Sequence, residues 1–381
     1  MKTDQTAFSP LISIITPSYN SGPFLPQAIE SVIAQNYPQV EHLIIDGGST
    51  DNTLTVLQRY QRHVTWLSEA DNGQADALNK GFQRAQGEII GWLNADDSYQ
   101  PQAFWQVARY LQQHPEVSLV YGHFNFIDER DHIFYTHRVP TFSLEKLLYG
   151  NIIPNASMFF RREILAELGG VNLTLHYVMD WEFVWRIAQR YQVQRFPAIW
   201  GNFRIMPGTK SVERTDHFWP EIIPTLEIVS QIAALQPHRD SALFWAYVLA
   251  ALEFARADNL NATQQYWQQA IKYYQQSPYK VSNLIRADSI AFALAETALR
   301  PWHRGFREHP HAAMTLANLQ QCLGNSPFEQ QLTTQLTHYQ QPHLCDNLGE
   351  LRFNLYSLLG NDLLLRLRSL KNRLGIAWDG V

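Results

Sequence analysis

The sequence predicts an α/β domain with a mostly parallel central sheet over residues 1–215, followed by an all-helical region over 216–381. Three observations carry this. Continuous apolar runs alternate with amphipathic helical stretches in the first part, each run ends in polar turn residues, and strand signals vanish after residue 215. "LISIITP" (11–17), "VEHLIID" (40–46) and "EIIGWLN" (88–94) are the apolar runs, and such runs suit strands buried on both faces of a parallel sheet. "PFLPQAIESVIAQN" (23–36), "DNTLTVLQRYQRH" (51–63) and "QADALNKGFQRAQ" (74–86) lie between or beside them with helical period. Strand–helix alternation of this kind implies right-handed crossovers. "EVSLVYG" (116–122), "ASMFFRR" and "YQVQRFPAIWGNFRI" are expected as later strands. Beyond residue 215, "PTLEIVSQIAAL", "SALFWAYVLAALEFARA", "ATQQYWQQAIKYYQQ" and "NLIRADSIAFALAETAL" read as amphipathic helices joined by short polar turns, without a clean repeat.

Bulk properties narrow the function. The net charge of −5 offers no basic footprint for nucleic acid. Two cysteines, Cys322 and Cys345, make neither a disulfide framework nor a four-ligand zinc site, which fits a reducing compartment. "MKTDQTAFSP" has no apolar core segment, so no signal peptide is expected. The longest apolar stretch, "ALFWAYVLAAL", is about half of the ~20 residues a membrane span needs and reads as a buried helix. A cytoplasmic protein, soluble or peripheral at the inner face of the membrane, is the expectation.

A parallel α/β sheet binds its ligand at the carboxyl ends of its strands. Those ends carry Thr16, Pro17, Ser18, Tyr19 and Asn20, then Asp46, then Glu69 and Asp71, then Asn94, Asp96 and Asp97. The first turn, "TPSYNSGPF", lacks the glycine fingerprint of a dinucleotide site, and no P-loop is present. A phosphate ligand then needs a cation as its counter-charge. Carboxylates such as Asp96 can supply one by holding Mg²⁺ or Mn²⁺, which bridge to diphosphate oxygens. Taken singly, each acid also reads as a cap or turn residue: Asp96–Asp97 before a helix near Pro101, Asp46 in a Gly-rich turn, Asp71 in a polar loop. Their convergence on one sheet edge favours a site.

"LISIITPSYNSGPFLPQAIESVIAQNYPQVEHLIIDGGSTDNT" resembles the N-terminal signature of family-2 glycosyltransferases. "SEADNGQADALNKGFQRAQGEIIGWLNADD" resembles that family's next block, ending in its D-x-D region, and "MDWEFVWRIAQR" resembles its later E-D-x-x-x-x-x-R segment. The resemblance covers roughly residues 10–215, and motif order and spacing both match. It implies a Rossmann-like GT-A nucleotide-binding fold, a nucleotide-sugar donor, a divalent metal and inversion at the anomeric carbon. Carried over, Pro17 and Tyr19 lie near the base with Thr16 and Asn20 beside them, Asp46 accepts from a base N–H, and Asp71 lines the nucleoside pocket. Base recognition through Asp46 makes UDP the first guess for the nucleotide. Lys80 is a candidate for the pocket or the phosphates, or else a solvated helix lysine. Asp96 is the expected metal ligand and Asp97 its support or alternative. Asp180 is the expected general base, though it also reads as an N-cap acid of a buried helix.

Three departures from the family pattern stand out. Asn94 replaces the first acid of D-x-D and is expected to face the ribose through its amide. Met179 stands where a Glu usually precedes Asp180. In "FRIMPGTKS" (203–211), Met206 replaces a histidine, leaving Arg204 and Lys210 as the remaining cationic contacts of a loop that could order as a lid. Outside the resemblance, "NDLLLRLRSLKNRLG" sets Leu363, Leu367, Leu370 and Leu374 on one face with Arg366, Lys371 and Arg373 beside it. That pattern fits either membrane-surface contact through 360–375 or a core-docked last helix. The other helices fit a carbohydrate or lipid-linked acceptor site or a homodimer interface. The overall expectation is a metal-dependent inverting glycosyltransferase of polysaccharide or glycolipid synthesis. The rivals are a non-catalytic nucleotide-sugar-binding or scaffold protein and a sugar nucleotidyltransferase; "TPSYNSGPF", with neither Arg nor Lys, argues against the last.

Overall fold

The computed structural model describes residues 9–210, 215–276 and 312–339. The chain forms two compact units, Met1–Ser143 with Asn151–Val212, and Leu144–Gly150 with Glu213–Val381. In chain order the first runs β1 (Ile12–Ser18), α1 (Leu25–Ile33), β2 (Val40–Asp46), α2 (Thr53–Arg59), β3 (Thr65–Ser68), α3 (Gln74–Arg84), β4 (Ile89–Trp92), β5 (Ser98–Tyr99), α4 (Ala103–Gln113), β6 (Val117–Ile127) and β7 (Ile133–His137). After α5 (Leu144–Leu148), which belongs to the second unit, come β8 (Met158–Arg161), α6 (Glu163–Leu168), α7 (Met179–Ala188) and β9 (Gln192–Arg204).

Nine strands form one sheet in the order β3-β2-β1-β4-β8-β6-β9-β5, with β7 on β6. The strands β3, β2, β1 and β4 are all parallel. β8 then runs antiparallel to both β4 and β6, while β9 is parallel to β6. β1 is buried along its whole length, its Ile side chains and its polar Ser13, Thr16 and Ser18 alike, as in a strand covered on both faces. Besides the two-residue β5, β3 and β7 are the exceptions to the sequence reading. Both lie at sheet edges, both are short and partly exposed, and neither shows an apolar run.

The helices pack by their predicted faces. α1 buries Leu25, Ala28, Ile29 and Val32, and Pro26 sits in its first turn, where its missing N–H costs nothing. α3 lies flush on β1 because position 81 has no side chain; a Cβ there would stand 2.3 Å from Ile15 Cγ2. α4 buries Phe104 edge-on against Phe159, which meets Trp200 the same way. Each such ring contributes roughly 1.5–3 kcal/mol by burial.

The second unit is helical among its described residues. The helix Gln236–Arg256 presents Phe244, Val248, Ala251, Leu252 and Ala255 to Trp267 and Ala270, to Leu316 and Leu319, and to Leu332 and Leu336 from three further helices. The run "ALFWAYVLAAL" is thus the core-facing part of that helix, and no described helix is long and apolar enough to cross a membrane. The stretch read as one helix over 224–235 is instead Trp219–Val229 followed by a 3-10 turn, because Ile232 takes an extended conformation. The expected helix over 283–299 and the basic segment 360–375 lie outside the described residues.

Candidate active site

The carboxyl ends of β1 and β2 are stapled to each other. Asn20, in a left-handed conformation with φ 49°, accepts at Oδ1 from Thr50 N (2.9 Å), and its own N–H donates to Ser49 Oγ (2.7 Å). Asp51 Oδ1 accepts from Thr53 N (2.9 Å) and Oδ2 from Gly22 N (3.0 Å). Asp46 is 0% exposed and accepts from Gly48 N (3.2 Å), Ser49 N (3.0 Å), Ser68 Oγ (2.7 Å) and the Ser49 hydroxyl. That corrects its expected role. A carboxylate with four donors and no exposed surface holds its own loop and has nothing left for a base N–H.

Two neighbours are corrected for the same kind of reason. Thr16 is 0% exposed and its hydroxyl is 2.9 Å from His42 Nε2, inside the sheet. Pro17 is buried in the same strand. Neither side chain reaches a ligand. Tyr19 does stand clear, 64% exposed at the end of β1. Asp71 comes to the same rim: its Oδ1 accepts from Gly73 N (2.8 Å), and a Cβ on Gly47 would stand 2.8 Å from its Oδ2, so only glycine at 47 admits it. Lys80 is ion-paired with Glu69 (2.9 Å) and Asp76 (3.4 Å), and the Glu69 contact leads in pushing its pKa up. It braces the Glu69–Asp71 loop against α3.

The loop after β4 is the centre of a longer network. Asn94 Oδ1 accepts from Trp92 Nε1 (3.0 Å) and Gln74 Nε2 (3.0 Å), while its Nδ2 donates to Asp97 Oδ2 (3.2 Å). Asp97, 1% exposed, accepts at Oδ1 from Arg204 N (2.9 Å). Asp97 therefore takes the supporting one of its two expected roles, and its expected role as an alternative metal ligand is corrected, because it is buried and both oxygens are bonded within the chain. The expected ribose contact of Asn94 is narrowed too, because its carbonyl oxygen already has two donors.

Arg204 is also corrected. It is 1% exposed, with Nε donating to Asp96 O (2.8 Å), a terminal nitrogen to Asp128 O (2.6 Å), the other paired with Asp131, and its carbon 5.0 Å over the Phe24 ring. Its charge is spent inside the protein. Asp96 remains open: among the described residues no donor from another side chain or backbone reaches its carboxylate. Burial pushes that carboxyl above its usual range, with its own N–H and the Arg204 charge pulling the other way.

The third part is α7. Asp180 lies in its first turn, with Oδ1 accepting from Trp181 N (2.8 Å) and Oδ2 from Asn151 Nδ2 (2.9 Å). Burial pushes its carboxyl from 3.8 up to about 6. A carboxylate tuned this way is still ionised at neutral pH yet a better base than an ordinary one. Lys210 ties the segment before α7 to the β4 loop: its Nζ donates to His176 O (3.1 Å) and Gln74 Oε1 (3.4 Å) and lies 5.6 Å from the Tyr177 ring centre. Met206, in the histidine's place, caps a turn through its carbonyl, which accepts from Thr209 Oγ1 (2.9 Å). Sequence reasoning missed Asn151 and Gln74. Each is an ordinary amide in the sequence, and only its partner, at position 180 or 94, reveals it.

A sheet of this kind, with polar loops converging at the carboxyl ends of β1, β2, β3 and β4, defines a GT-A type glycosyltransferase. Comparisons agree. A family model described as glycosyl transferase family 2 matches residues 13–169. A Mycobacterium tuberculosis protein described as an uncharacterized glycosyltransferase is 33% identical over 187 residues, 47% of this chain and 70% of that one. A Mycobacterium bovis protein named PGL/p-HBAD biosynthesis glycosyltransferase is 31% identical over 180 residues, 46% of this chain and 68% of that one. A Rickettsia typhi relative is 28% identical over 186 residues, 47% of this chain, and the match spans 58% of its length. In fold, the chain is similar to S. aureus TarS residues 1–349 in complex with UDP-GlcNAc, with TM-score 0.57 and 16% identity over 87% of this chain and 92% of that one. The chain belongs to glycosyltransferase family 2.

Proposed function

We propose that the protein transfers a sugar from a nucleoside-diphosphate donor to a hydroxyl acceptor with inversion, using Asp180 as the base. The observation that carries this is the Asp180 carboxylate, pushed up to about 6 and oriented by Trp181 N and Asn151. As the acceptor oxygen bonds to the anomeric carbon, its proton passes to Asp180. The bond from that carbon to the diphosphate oxygen breaks, and the nucleoside diphosphate leaves with the electron pair. A single displacement needs one base and no protein nucleophile.

The residues fit a divalent ion. Among the described residues no three metal-binding side chains come together, but Mg²⁺ and Mn²⁺ are commonly held by one or two carboxylates with substrate phosphates and water completing the shell. Asp96 would be that carboxylate. The ion would supply Lewis-acid charge neutralisation for the departing diphosphate. Tyr19, Asn20 and Asp71 would meet the nucleoside, and Lys210 the phosphates, with residues 1–215 as the catalytic domain. UDP is the first nucleotide to try, because the similar TarS fold carries UDP-GlcNAc. A carbohydrate or lipid-linked acceptor in polysaccharide or glycolipid synthesis fits the named relatives.

The test is a thermal-shift series with UDP, dTDP and GDP, each with and without Mn²⁺. A ligand bound by the native state alone at a hundred times its Kd stabilises by roughly 2.7 kcal/mol. We expect UDP with Mn²⁺ to raise Tm and to do so equally in Asp180→Asn, which loses transfer. No shift with any nucleoside diphosphate would sink the reading.

A further inference from the structure

We propose that Asn94 and Asp97 act as one complementary donor–acceptor pair and that the pair positions Asp96. The geometry is specific. Asn94 Nδ2 donates to Asp97 Oδ2 at 3.2 Å, so the contact needs one donor and one acceptor. Two further donors, Trp92 Nε1 and Gln74 Nε2, already converge on Asn94 Oδ1 at 3.0 Å each. The other Asp97 oxygen accepts from Arg204 N, and the Arg204 guanidinium in turn holds Asp96 O. A change at 94 is therefore carried through Asp97 and Arg204 to the backbone that carries Asp96.

This makes the family's acid the wrong residue here. In Asn94→Asp, Trp92 and Gln74 would still donate to one oxygen, but the other would face Asp97 without the amide hydrogen that now bridges them. Two carboxyl groups that close must either repel or take up a proton from solvent, and either costs stability at neutral pH. In the swap Asn94→Asp/Asp97→Asn every bond has a partner again. Asp at 94 accepts from Trp92, Gln74 and the new amide at 97, whose carbonyl accepts from Arg204 N. The single Asp97→Asn sets two amides against each other, where one must turn and lose a bond elsewhere.

The test is a double-mutant cycle on the full chain: wild type, Asn94→Asp, Asp97→Asn and the swap. Tm of each protein without ligand reports on the pair whatever the donor is. UDP affinity with and without Mn²⁺ reports on the positioning of Asp96, and this second readout rests on the function proposed above. We expect Asn94→Asp to lower Tm and to weaken Mn²⁺-dependent UDP binding about tenfold, leaving metal-independent binding unchanged, and the swap to recover most of both losses. If Asn94→Asp does not fold, a folded swap supports the pair and an unfolded swap overturns it. Losses that simply add in the swap, or Asn94→Asp binding UDP with Mn²⁺ more tightly than wild type, also overturn it. A wild type that binds no UDP would count against the proposed donor, while the Tm cycle would still decide the pair.

Discussion

The loops after β2 and after β4 look alike in sequence, each an apolar strand ending in an acid, and they do opposite things. Asp46 collects Ser49, Ser68 and two backbone N–H groups and disappears from the surface. Among the described residues Asp96 collects no donor from another residue, because its neighbours Asn94, Asp97 and Arg204 bond to one another and to its backbone. An acid at a strand end becomes structure when hydroxyl and amide donors surround it, and a ligand group when those donors are spent elsewhere. Asp180 stands between, with one donor on each oxygen and its basicity raised by burial.

The contrast can be broken most sharply at Asp180. Asp180→Asn should lower kcat by about 10³–10⁴-fold with donor KM nearly unchanged, measured by release of the nucleoside diphosphate. Next, Asp96→Asn should cost about 10²–10³-fold in kcat/KM and flatten the response to Mn²⁺ titration; an Asp46→Asn loss of the same size and metal dependence would erase the distinction between the loops.

The pH profile gives a smaller, separable effect. With the base at about 6, kcat/KM should fall about tenfold per unit below that point and stay level above it. Stability should run the other way. Between 3.8 and about 6 the folded state binds a proton that the unfolded state has released, so stability falls as pH rises through that window. Asp180→Asn removes this cost, so it should be about 2–3 kcal/mol more stable than wild type above pH 6 and no more stable below pH 4, by denaturant melts.

Asp46→Ala, by orphaning its buried donors, should destabilise by about 1–3 kcal/mol in the same melts with kcat largely kept. The smallest expected effect is at Tyr19, whose exposed ring Tyr19→Ala removes: nucleotide affinity should drop about fivefold with kcat intact, read by calorimetry with UDP.

Much of the fold was legible because β1, β2 and β4 are buried on both faces and write their position as unbroken apolar runs. β3 and β7 were not, since an edge strand needs no such run. Among site residues, Tyr19, Asp71 and Asp96 lie in the loops after β1, β3 and β4, where the strand order puts polar ends, and Asp180 lies in the first turn of α7. Thr16, Asp46 and Arg204 were misjudged, as polar residues near a site that prove to be bonded within the chain, and Asp97 kept only its supporting role.

By itself the sequence determined the strand–helix alternation, the polar strand ends and the family, because apolar periodicity and motif spacing are local properties. Only the tertiary structure decided which carboxylates remain available. Ser68 reaches Asp46 across 22 residues, Asn151 reaches Asp180 across 29, and Arg204 reaches Asp97 across 107. Whether a buried acid is satisfied depends on donors that distant chain segments bring to it, and no local pattern records them.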